Sequence, residues 1–259
     1  MPAPKRPLLR RNSRDLPACH ETDKPAVLSG AGARRNILVF WQYAGEVDVI
    51  RPVVDLDALR HAEVHHDPFP FLTLPNFIRA EAFDAVSSGF PAIARPGSFP
   101  LVTLTYGTGF SALAEDLERP ELARIVGEKL GVELDSHPTM ITVRGQSSET
   151  IDGKIHADSR TKLVTALIYM NDNWESPKGR LRLLRSRENL QEVIAEVPPE
   201  KGALLLFRND PNAWHGYEPF SGPRRVVQLN WVTSKSVVRR EQFRHRVSAF
   251  FKRFGPNGA

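Results

Sequence analysis

From about residue 138 the apolar pattern of this chain changes from a helical period to an alternating one, and that change limits the fold more than any other feature. Six short runs rich in Val, Ile, Leu, Thr and aromatic residues follow in succession: 140–143, 163–170, 181–184, 193–197, 203–207 and 226–232. Turn-rich stretches at 147–154, 171–178, 198–202 and 220–223 separate them. Short strands this closely spaced, with turn signals between them, predict a sandwich or barrel. Helices lying N-terminal to such a core are expected to pack on one of its outer faces.

Two such helices are legible. Residues 80–88 place Phe83 and Val86 one turn apart and stop at Gly89. Residues 120–130 begin with a proline and carry Leu122, Ile125, Val126 and Leu130 on one side. Between them and the N-terminus, 36–40 and 47–54 read as short strands or edge segments. The run 66–75 is extended and apolar but broken by prolines, so an edge strand is the most it supports. At the other end, Phe243, Val247, Phe250, Phe251 and Phe254 follow a helical period among arginines and lysines. A basic amphipathic helix over 235–259, capping the body with its aromatic stripe, is expected; the alternative is a helix that lies on a membrane or partner surface.

With 41% hydrophobic and 25% charged residues in 259, the chain has the proportions of a globular protein. No apolar run approaches the roughly 20 residues of a spanning helix, so no transmembrane segment is expected. The single cysteine, Cys19, rules out an internal disulfide framework and a cysteine-rich metal site, and it suits a cytoplasmic location. The charge is uneven. Residues 1–35 hold eight basic and three acidic residues, and 235–259 hold seven and one; the body between them has 20 basic against 26 acidic. A nucleic-acid partner is therefore disfavoured, because its basic surface would belong on the folded body. Residues 1–35, Arg-rich with no apolar periodicity, read as a disordered basic tail ahead of a single domain at 36–234.

Three features of the β region carry chemistry. In a strand, His156 and Asp158 project from the same face, being two residues apart. His215 follows 57 residues after Asp158, and a sheet that folds back can return it to the same pocket. Two imidazoles and one carboxylate on one side of a metal leave open positions for a bidentate cosubstrate and dioxygen, a geometry that suits non-haem Fe(II). Finally, Arg225 lies ten residues after His215 and shares strand parity with Val227, Leu229 and Trp231. An arginine on a core face is costly unless it meets an acid, so a buried anion is expected opposite it. Arg224 is the alternative; parity and spacing favour Arg225.

Taken in order, His156-Ala-Asp158, 163–174, Gly179-Arg-Leu-Arg-Leu, 199–207 and His215 through Trp231 resemble the Fe(II)- and 2-oxoglutarate-dependent oxygenase superfamily, in its prolyl hydroxylase-like subgroup. The resemblance covers about 138–234, with a weaker echo at 67–78. It implies a mainly β fold with flanking helices, a double-stranded β-helix (jelly-roll) core, and iron ligation by His156, Asp158 and His215. It also implies that Arg225 grips the distal carboxylate of 2-oxoglutarate. The implied activity is a dioxygenase that hydroxylates an unactivated C–H bond of a protein side chain, saccharide or small metabolite, releasing succinate and CO2. Thr142 stands about where many relatives have a tyrosine, so no second cosubstrate contact is named. Two other classes remain open at this stage: a non-catalytic metal-binding sensor, and a nucleic-acid demethylase using the same iron chemistry. The basic stretch Lys178, Arg180, Arg182, Arg185 and Arg187 reads either as a solvated outer face or as a mouth for an anionic substrate.

Overall fold

The computed structural model describes residues 51–150, 152–241 and 243, all within one compact unit, Gly45–Ala259. The expected tail over 1–35, the strand at 36–40 and most of the C-terminal helix lie outside the described residues; 235–241 is helical.

Four helices precede the main strands: α1 (Leu56–His61), α2 (Ala80–Ser88), α3 (Thr108–Leu117) and α4 (Pro120–Leu130). α4 begins on its proline and stops at Gly131, whose φ of 63° is a left-handed conformation that glycine adopts without penalty. α1 starts where Asp55 accepts from the Ala58 N–H at 2.8 Å; of the expected strand at 47–54, residues 47–50 lie outside the described residues and 51–54 carry a single bridge, Val54 to Ile78. α3 has a helical apolar spacing (Phe110, Leu113, Ala114, Leu117) that two glycines obscure. Gly109 has to be glycine, because a Cβ there would lie 2.0 Å from the Ala85 carbonyl oxygen of α2.

The strands are β1 (Phe71–Leu74), β2 (Phe99–Pro100), β3 (Thr139–Ser147), β4 (Lys162–Tyr169), β5 (Leu181–Leu184), β6 (Val193–Val197), β7 (Leu204–Arg208), β8 (Trp214–Gly216) and β9 (Gly222–Val232). They form a six-stranded sheet ordered β1-β7-β4-β9-β3-β2 and a three-stranded sheet ordered β6-β5-β8, antiparallel at every pairing. This is the jelly-roll core expected of the sequence.

Side-chain alternation then assigns each face of the large sheet. Ile141, Val143, Val164, Ala166, Ile168, Leu204, Leu206, Val227, Leu229 and Trp231 join residues of α1–α4 in one buried cluster. The opposite face contributes Leu167, Tyr169, Leu205, Phe207 and Val226 to a second cluster, with Leu181 and Leu183 of the small sheet. Each fully buried Leu, Val or Phe in these clusters contributes about 1.5–3 kcal/mol of transfer free energy. The space between the two sheets is where polar side chains interrupt that packing.

Candidate metal and cosubstrate site

His215 sits on β8 and is buried, while His156 is exposed on the segment leading toward β4. Their backbones pair directly: His156 N–H donates to the His215 carbonyl at 3.0 Å and the return bond is 2.9 Å. Ile155 to Asp158 is not a regular strand. Only His156 is bridged, and this lone bridge carries the two rings to a centroid separation of 4.3 Å. Asp158 follows in the turn before β4. One ligand atom from each of His156, Asp158 and His215 lies within 4.8 Å of the others.

The donor chemistry of these residues fits a divalent metal. His156 Nδ1–H donates to the Lys154 carbonyl and His215 Nδ1–H to the Ala213 carbonyl, each at 2.9 Å. Both rings are thereby held in the tautomer that presents a bare Nε2 lone pair. Burial, helped by the neighbouring His156, pushes His215 down to about 4, so it is a neutral ligand at ordinary pH. Burial raises the Asp158 carboxyl, but the Lys162 ammonium and the His215 ring outweigh it and the net direction is down. Lys162 Nζ lies 2.6 Å from Asp158 Oδ1, and the Thr165 hydroxyl donates to Oδ2 at 2.5 Å. Two imidazole nitrogens and one carboxylate oxygen make a donor set suited to Fe(II).

These three residues line a cavity of about 300 Å³ between the sheets. It is also lined by Thr165, Leu167 and Tyr169 of β4, by Arg224, Val226 and Gln228 of β9, and by Leu181, Tyr217 and Arg144. Arg224 is 4% exposed and forms no ion pair among the described residues, although Asp152 and Asp158 line the same cavity. Its Nε–H donates to the Gly179 carbonyl at 2.8 Å, and its guanidinium lies over the Tyr217 ring at 4.2 Å. Tyr217 is held in turn by Ser147, at 3.0 Å between the hydroxyls. Tyr169 is fully buried, and its hydroxyl lies near Arg224 without a well-formed hydrogen bond among the described residues. Burial pushes that phenol up to about 12, against the pull of the Arg224 charge.

Arg225 is not in this cavity. Its guanidinium lies over Phe90 at 5.4 Å, and its N–H donates to Asn171 Oδ1 at 3.1 Å. It does share a face with Val227, Leu229 and Trp231, but that face is covered by the helices, and the even positions of β9 turn toward the metal ligands. Arg225, expected to face the anion site, does not line this cavity; Arg224, the alternative, does. Tyr169 and Thr165 were not singled out in the sequence; both lie on the same face of β4 as Leu167, each two residues from it.

None of the basic residues 178–187 lines the cavity. Arg182 pairs with Glu196 at 2.6 Å and Glu218 at 2.8 Å, and Arg185 with Asp67 at 3.1 Å. Trp174 packs on Phe220 and donates to the Lys178 carbonyl, a structural use. No helix among the described residues is long and apolar enough to cross a membrane.

Residues 143–233 match the 2OG-Fe(II) oxygenase superfamily. No curated protein matches the chain. Among solved structures, a prolyl-4-hydroxylase of Pseudomonas putida is 14% identical with a TM-score of 0.44, the match covering 69% of this chain and 93% of that one. A prolyl hydroxylase of Trichoplax adhaerens, solved with a hypoxia inducible factor peptide fragment, is 18% identical (TM-score 0.44; 72% and 90% covered). HygX of Streptomyces hygroscopicus, solved with nickel and 2-oxoglutarate, is 13% identical (TM-score 0.46; 66% and 84% covered). The segment that matches the 2OG-Fe(II) oxygenase superfamily, residues 143–233, is the one that holds His156, Asp158, His215 and Arg224.

Proposed function

We propose that this enzyme hydroxylates a C–H bond on a protein side chain or small metabolite, with His156, Asp158 and His215 holding Fe(II) and Arg224 gripping 2-oxoglutarate. The observation that carries the cosubstrate assignment is Arg224 itself: a buried guanidinium that forms no ion pair among the described residues calls for an anionic ligand. Its Nε is committed to Gly179, which leaves the outer nitrogens for the two oxygens of a carboxylate. The Tyr169 hydroxyl can donate a third hydrogen bond to the same group, and as a neutral phenol it does not repel it. A diacid held there would share the cavity with the two histidines.

When bound, Fe(II) would supply the dioxygen activation that couples conversion of 2-oxoglutarate to succinate and CO2 with insertion of one oxygen atom into a C–H bond. The protein's share is placement and exclusion of water. Leu167, Leu181 and Val226 wall the cavity with apolar surface, and Tyr217 covers the guanidinium. A second cavity, of about 410 Å³, shares only His156, Asp158 and Lys162 with the first and is otherwise lined by residues such as Met140, Val232, Val237 and Arg240. It lies at the other end of β9 from Arg224, and its size suits a side chain or small metabolite presented to the metal from that side.

The test is anaerobic addition of Fe(II) and 2-oxoglutarate to the full chain, read by the visible charge-transfer band, followed by a substrate screen for succinate release. A band that needs both additions, and is lost in His215→Ala, is the expected result. Absence of the band in the wild-type chain would overturn the proposal.

A further inference from the structure

Asp158 has two carboxylate oxygens to offer, and the structure assigns the choice between them to a buried polar chain on the two central strands. Thr165 of β4 and Asn230 of β9 stand directly opposite each other in the sheet, and each is 1% exposed. The Thr165 hydroxyl donates to Asp158 Oδ2 at 2.5 Å. Asn230 Nδ2–H donates to Thr165 Oγ1 at 2.7 Å, and Gln228 Nε2–H donates to Asn230 Oδ1 at 3.1 Å. The direction of every proton follows from one end. A carboxylate only accepts, so Thr165 must donate to it; Thr165 then accepts, so Asn230 must turn its amide nitrogen inward. The Asn230 oxygen then requires a donor, and the Gln228 amide supplies it.

We infer that Thr165 and Asn230 are positioning residues that tie down Asp158 Oδ2 and leave Oδ1 as the single oxygen offered to the metal. This rests on the metal-site reading above. Oδ2 is turned into the sheet, whereas Oδ1 meets only the mobile end of Lys162, at 2.6 Å, an ammonium that a metal ion at Oδ1 would displace. Groups that orient a ligand in this way typically set metal affinity by about 10–100-fold.

The experiment is titration of the full chain with Co(II), following the d–d absorption bands, for wild type, Thr165→Val, Thr165→Ser and Asn230→Ser. Thr165→Val removes the donor at nearly constant shape; about tenfold weaker Co(II) binding with an altered band pattern is expected. Thr165→Ser restores the donor and should return within about threefold of wild type. Asn230→Ser frees the far side of the Thr165 hydroxyl, and a several-fold loss is expected. That variant decides the matter if Thr165→Val does not fold. Wild-type affinity and spectrum in the Asn230 and Thr165→Val variants would overturn the inference. Failure of the wild-type chain to bind Co(II), or binding unaffected by Asp158→Ala, would instead remove the metal site and the inference with it.

Discussion

Replacing Arg224 with methionine separates the two roles the structure gives this side chain, because they pull in opposite directions. Without ligand, wild type holds a guanidinium at 4% exposure with one hydrogen bond to a backbone carbonyl and two aromatic rings nearby. Exchanging buried ionic groups for apolar ones of similar volume often stabilises a protein, by about 1–4 kcal/mol. Against that stands loss of the Gly179 bond, about 1 kcal/mol, and of the contact over Tyr217, about 1–2 kcal/mol. The ligand-free variant should thus melt no lower than a few degrees below wild type, and in the favourable case above it, at about 2–4 °C per kcal/mol for a domain of this size. With 2-oxoglutarate the order reverses. Truncating one member of a buried, hydrogen-bonded charge pair costs about 2–5 kcal/mol, so the cosubstrate Kd should rise at least about 30-fold. At a concentration a hundred times its Kd, 2-oxoglutarate stabilises wild type by about 2.7 kcal/mol, while the variant at that concentration gains well under half of it. The assay is a thermal melt of metal-loaded protein over a 2-oxoglutarate series, with Arg225→Met as the control. A ligand-dependent Tm in Arg224→Met that tracks wild type, or its loss in Arg225→Met instead, would refute the assignment of the anion site to the even face of β9.

Alanine at His156, Asp158 or His215 should reduce Fe(II)-dependent succinate formation to background, and normal turnover in any of the three would take that residue out of the metal site. Tyr169→Phe should weaken 2-oxoglutarate several-fold, in keeping with one hydrogen bond to a charged group at about 1.5–3 kcal/mol; an unchanged Kd would leave the phenol without a role. The same residue imposes a pH dependence. Its folded value of about 12 lies above the ordinary 10, so the folded chain keeps a proton that the unfolded chain loses. Stability should fall as pH rises from about 10 to about 12, by about 3 kcal/mol in all, and Tyr169→Phe should flatten that decline in urea midpoints measured across the window. Gly179→Ala combines a φ of 77° with a Cβ that would lie 2.7 Å from Trp174, and it disturbs the carbonyl that anchors Arg224. A Tm drop of several degrees together with weaker 2-oxoglutarate binding is expected; a lower Tm with an unchanged Kd would mean the anchor does not matter to the cosubstrate.

What the chain discloses before folding depends on whether one strand or two sheets must be known. Bounds of α2, α4, β5 and β6 are readable from local pattern alone, since each has a single apolar face or a run closed by turn residues. α3 is obscured by Gly109, which local propensity counts against a helix, although the close crossing with α2 requires it. The proposed metal ligands stand out by residue type and spacing: the His156–His215 bridge brings the rings together even though Asp158 is not in a strand. The arginine needed more. Parity along β9 sorts its residues into two sets but does not say which set faces the metal. Burial of the odd positions is a property of helices packed on them from earlier in the chain. A signal was present nonetheless: beyond Arg225 the odd set is wholly apolar (Val227, Leu229, Trp231), while the even set is polar at Arg224, Gln228 and Asn230. A strand buried on both faces places its polar residues where ligands or polar partners await them, because an unpaired buried polar group costs about 1–3 kcal/mol. By that criterion the even face is the site, and Thr165 on β4 belongs to it as Asn230's cross-strand partner. The polarity of a buried strand face is thus stronger evidence for the anion-binding residue than its distance in sequence from the last metal ligand.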